Sequence, residues 1–156
     1  MKRFKIAQAV LVILAGLFIF FSLSSVRGTG KNADEIANSV LAIMQDEDLI
    51  ERDVNYIRET FAFDTESISS FAYYTSDDIM NVNELLVVVL SDTQNAESFK
   101  ESINDYVDGK YAIFKDYAPV QGELLKNHFL KLQGNALVFC ICENNDKISD
   151  SFKKLL

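Results

Sequence analysis

The 21 residues from Ile6 to Val26, IAQAVLVILAGLFIFFSLSSV, contain no charged side chain. A helix of about 20 such residues spans a hydrocarbon core of roughly 30 Å. Nothing polar marks an outer face by which a buried soluble helix would meet water. Lys2, Arg3 and Lys5 lie ahead of the run, so the positive-inside bias keeps the N-terminus cytoplasmic and sends the remainder of the chain outward. Two fates stay open. The run is kept as a signal anchor, which makes a single-pass protein of the cell membrane, or it is cleaved near Ser22 and Ser24 as a secretory signal. The absence of an alanine-type processing site and the long, Phe-rich run favour the anchor. Both fates export the domain beyond it.

The 156 residues then divide into a signal-anchor or transmembrane segment (1–27), a linker (28–33) and one extracytoplasmic domain (34–156). Four of the 15 Lys+Arg precede residue 28 and all 23 Asp+Glu come after it, leaving the exported part at −12. Such a surface excludes nucleic acid, whose binding neutralises phosphates, and opposes close docking on anionic lipid. Cations or a basic partner are the charged species it attracts, if it is more than a solvated face.

Within the domain, NADEIANSVLAIMQ opens with Asn32 and Glu35 in capping-box spacing and repeats Ile36, Val40, Ile43 and Met44 at helical intervals. QDEDLIERD (45–53) is acidic but lacks the glycine of a calcium loop. Asp48 with Glu51 instead predicts a second helix through Ile50, Val54, Ile57 and Phe61. SISSFAYYT (67–75) and ELLVVVLS (84–91) read as strands. Ala96, Phe99, Ile103, Val107, Tyr111, Phe114 and Ala118 step by three or four along a long amphipathic helix, weakened at Gly109 and ended by Pro119. A turn or short helix at VQGELLKN precedes a hairpin, HFLKLQGNALVFCIC, turning at Gly134-Asn135, and a short C-terminal helix closes the chain. The order α-α-β-β-α-β-β-α after the transmembrane helix predicts an α+β domain: two layers, with two hairpins in a mostly antiparallel sheet packed against helices. The two most apolar strands are expected at the centre, with further cover from the first helices.

Cys140 and Cys142 sit one residue apart in the second of those strands. On a strand, Val138, Cys140 and Cys142 share one face, and Leu137, Phe139 and Ile141 the other. A separation of roughly 6.5–7 Å between the two Cα atoms is at or past the limit for a relaxed disulfide. One histidine and two cysteines do not make a structural zinc site. The reading is core packing. His128, alone of its kind, is a polar residue at a strand start. Tyr106…Lys110 and Tyr111…Lys115 match Y-x-x-x-K, but no Gly-rich phosphate loop accompanies them, and a reductase is discarded. Tyr106 and Tyr117 are kept as a possible contact surface.

The F-x-x-Y-x-P helix end (Phe114, Tyr117, Pro119), the LLKN after it and the QGNALV hairpin resemble the family catalogued as domain of unknown function 4358, over roughly residues 34–155. The resemblance implies a small exported protein of Firmicutes and transfers no activity. Many members are lipoproteins, yet no cysteine comes directly after the apolar run here, so the helix itself must serve as anchor. No catalytic, cofactor-binding or metal-binding residue is assigned. The expectation is a non-enzymatic interaction or accessory module of the bacterial cell envelope, with another envelope protein as partner. A small-ligand or cell-wall-polymer binding protein is the alternative.

Overall fold

The computed structural model describes residues 30–46 and 48–155. The transmembrane segment expected over 6–26 lies outside them. Among the described residues no helix is long and apolar enough to cross a membrane.

The domain is α+β, with five antiparallel strands flanked by helices. Helix α1 (Ala33–Met44) starts where Asn32 accepts the Asp34 N–H and stops at left-handed Gln45. Then come edge strand β1 (Leu49–Arg52), helix α2 (Val54–Phe61), a 3-10 turn (Thr65–Ser67), and strands β2 (Ile68–Ser76) and β3 (Glu84–Leu90). A second 3-10 turn (Thr93–Asn95) leads into α3 (Ala96–Tyr117), α4 (Pro119–Lys126), β4 (Phe129–Gln133), β5 (Ala136–Ile141) and α5 (Asn145–Leu155).

The sheet runs β1-β2-β3-β5-β4. The two most apolar strands are indeed central partners, with Val87 opposite Val138. Every residue of β3 and β5 is buried, so both faces need cover. Leu86, Val88, Leu90, Leu137, Phe139 and Ile141 pack under α2, α3 and α4. Leu85, Val87, Val89, Val138, Cys140 and Cys142 pack under α1 and α5. The expected two layers are therefore three, helices–sheet–helices. A strand that is apolar at every position has no wet face to leave open.

One other expectation is corrected. The helix expected from Asp48 begins only at Val54, capped by Asp53, whose carboxylate accepts the Tyr56 N–H at 3.0 Å. Residues 49–52 instead pair with 73–76 as a strand, a non-local choice that helical spacing does not register. Of the turn or short helix expected after Pro119, the structure has the helix, with the proline at its first turn, where a missing N–H costs nothing. The β4–β5 turn is as expected: Gln133 pairs with Ala136 and Gly134 alone takes a positive φ of 61°, the type II′ pattern.

Candidate functional site

Glu84 opens β3 on the same face as Leu86, Val88 and Leu90, so its carboxylate is carried under α3. It is 1 % exposed. An isolated carboxylate there would be very costly, and three donors from two elements offset the burial. Tyr73 of β2 donates its hydroxyl to Glu84 Oε1 at 2.5 Å. Tyr106 of α3 donates to Oε2 at 2.8 Å, and Lys110, one turn on, reaches the same oxygen at 3.1 Å. Lys110 Nζ also donates to Tyr106 Oη at 2.8 Å. Burial, reinforced by the Glu84 charge, pushes both phenols well above the ordinary tyrosine range. They remain donors at any physiological pH.

This network forms the floor of a cleft of about 310 Å³, walled by β1, the β2–β3 loop and α3. On the β1 side Arg52 donates from Nε to Thr75 Oγ1 at 2.8 Å and pairs its guanidinium with Asp77. Its guanidinium carbon also lies 4.9 Å from the Tyr56 ring centre. Asp77 holds the Arg52 guanidinium in its charged form above the ordinary range. The loop of residues 77–83 is shaped by side chains folding onto nearby backbone: Asp78 accepts the Met80 N–H and Asn81 the Asn83 N–H. Gln121 of α4 accepts the Val82 N–H at 3.0 Å, tying the loop to that helix. Ile79 on the loop lines the cleft and is exposed, and further exposed apolar side chains are Met80 on the same loop, Ile113 and Tyr117 on α3, and Val120 on α4.

Of the residues singled out in the sequence, Tyr106 lies in the cleft, half-buried on Glu84. Tyr117 is exposed, its ring 5.2 Å from that of Phe114. Eleven positions of helix put these two tyrosines about 16 Å apart along α3. Tyr106 and Lys110 are brought together as a hydrogen-bonded pair. His128 Nδ1 donates to Leu125 O at 2.9 Å ahead of β4. Cys140 and Cys142 are free and buried in the face under α1 and α5. The Cys140 thiol, as donor, lowers the pKa of Cys142, and its own rises for the same reason. Sequence reasoning misses Glu84. Its only signal is a lone carboxylate at the head of an apolar run, at the spacing of the residues that face α3.

Residues 42–142 match the family model described as Domain of unknown function (DUF4358), a stretch that takes in all five strands. No curated protein and no solved structure gives a significant match.

Proposed function

We propose a function from geometry, because this chain belongs to the Domain of unknown function (DUF4358) family and that description names no activity. The chain is an extracytoplasmic recognition module of the cell envelope, tethered through residues 6–26 as a signal anchor. It docks a partner protein through the cleft and the rim around it.

The observation that carries this is the combination at the cleft mouth. Ile79 lines the polar cleft and is 86 % exposed, while Ile113 on α3 and Val120 on α4, the helix that Gln121 ties to the loop, are 62 % and 71 % exposed. Large apolar side chains scattered singly mean little, but grouped around a concavity they mark an interaction surface. Inside, the strong groups hold one another: Glu84 takes three donors, and Arg52 is engaged by Asp77 and Thr75. Groups paired in this way favour rigid recognition over proton transfer. With Asp77 and Asp78 at the rim and a domain of −12, the complementary partner presents a basic side chain among apolar ones.

The test is photo-crosslinking from a benzoylphenylalanine placed at Ile79 in cells, with Glu35 on α1 as the control position. A discrete adduct from position 79 alone is expected, and the identified partner should bind the purified domain more weakly after Ile79→Asp and at higher salt. Equal adducts from both positions, or binding indifferent to Ile79→Asp, would remove the proposal.

A second reading has its own observation: the cleft volume of about 310 Å³ falls at the low end for small-ligand pockets. A polar ligand or cell-wall saccharide bound there should raise the melting temperature of the wild type but not of Lys110→Met.

A further inference from the structure

Three sulfur atoms meet on the sheet face opposite the cleft floor. Cys140 Sγ lies 3.6 Å from Cys142 Sγ and 3.6 Å from Met44 Sδ. Cys140 lies in β5 and Cys142 directly after its end, and both pack into the face under α1 and α5. Met44 comes from the last turn of α1, which left-handed Gln45 stops directly afterwards. We propose that Met44, Cys140 and Cys142 form a binding site for Cu(I).

Ligand chemistry selects the ion. Two thiols and a thioether are soft donors, the class that takes Cu(I). Structural zinc takes four nitrogen or sulfur ligands, and the one histidine stands at the start of β4 with its Nδ1 on Leu125 O. Among the described residues no group of three or more His, Cys, Asp or Glu is placed to hold a metal; the thioether of Met44 is what makes a third ligand. Distances agree. Sulfurs held at about 2.3 Å from one metal lie roughly 3.8–4.0 Å from each other, so each observed separation of 3.6 Å needs to open by only a few tenths of an ångström. A disulfide at about 2.05 Å would require the two thiols to close by far more.

Access and charge agree as well. Met44 and Cys142 line an open cleft of about 420 Å³ whose other walls include Asp46, Asp48 and Glu143. These carboxylates draw a cation inward, yet as hard oxygen donors they hold Cu(I) poorly. Asn83 Oδ1, on the same cleft, is a buried acceptor with no hydrogen-bond partner among the described residues. Binding exchanges the two thiol protons, released to solvent, for the metal. No electron moves, and copper stays Cu(I). The three sulfur ligands lie on the other sheet face from the docking cleft, and only Asn83 borders both clefts.

The experiment is an anaerobic titration of the reduced full chain with Cu(I) against a chromogenic Cu(I) chelator. One ion per chain is expected. Cys140→Ser and Cys142→Ser should each weaken binding by at least the roughly 10–100-fold that even an outer-shell change costs. Met44→Leu, which keeps the apolar volume, should weaken it measurably, and thermal melts of all variants report whether each still folds. Wild-type binding no tighter than that of the double serine variant would overturn the site. So would an affinity unchanged by Met44→Leu in a folded protein.

Discussion

Lys110 Nζ lies 3.1 Å from Glu84 Oε2, a helix cation seated on the one buried carboxylate among the described residues. The pair joins α3 to the head of the central strand, and the two phenols complete it. Glu84 is almost fully enclosed and Lys110 only partly, so the two ends are unequal in what their loss exposes.

Glu84→Ala should destabilise the domain by about 3 kcal/mol or more, since it strands the Tyr73 and Tyr106 hydroxyls and leaves Lys110 without its counter-charge. Glu84→Gln keeps the shape and should cost less, about 1–2 kcal/mol. Urea unfolding of both variants checks the order. Equal and negligible losses would show that the network does not hold α3 to the sheet.

The opposite magnitude is expected at the rim. The Arg52–Asp77 pair has its carboxylate largely in water, and exposed ion pairs contribute about 0–1 kcal/mol. Asp77→Ala should therefore change stability by less than about 1 kcal/mol, measured in the same unfolding series.

Alkaline pH should unfold the protein through its phenols. Tyr73 and Tyr106 have folded pKa values raised above the ordinary value, by burial first and then by the Glu84 charge. Their contribution is complete below the unfolded value of about 10 and is lost as pH rises past it, because only the unfolded chain then releases the protons. The melting temperature should fall as pH rises above about 10, and fall less in the Tyr73→Phe/Tyr106→Phe double variant. Parallel curves for the two proteins would contradict the assignment.

Two helix glycines should respond with opposite signs. A methyl at Gly109 meets nothing within 4 Å, so Gly109→Ala should stabilise α3 by about 0.5–1 kcal/mol. At Gly122 the same methyl would sit 3.2 Å from the Lys115 Cα, where α4 crosses α3. Backbone there cannot rotate aside, and Gly122→Ala should lower the melting temperature despite its better helix propensity.

Local pattern reads the elements whose periodicity serves one buried face. The Asn32 cap, the α3 stripe from Phe99 to Phe114, and the Gly134 turn are each written within a few neighbouring residues. Non-local structure is not readable in this way. Residues 49–52 pair with 73–76 because β2 offers a free edge, and only the assembled sheet shows that edge. The second helical layer is required by the all-buried β3, yet which helices supply it depends on how the chain ends return. The cleft is hidden for the same reason: Arg52, Glu84 and Lys110 lie on three elements, and only the tertiary fold places them around one space. The Tyr106–Lys110 spacing is visible in the sequence, while the carboxylate it serves is not. The row containing Cys140 and Cys142 comes from strand alternation alone, but Met44 reaches it from the other end of the chain.

The sheet order also dictates when this domain can close during synthesis. Strand β3 waits, one side unpaired, until α3 and α4 have emerged and β5 arrives to cover it. In that interval a bare, largely aliphatic ribbon is on offer to any neighbouring nascent chain, and non-local pairing of this kind is intrinsically slow. A polypeptide arrested ahead of Ala136 would thus be a seed for clumping rather than a smaller working unit.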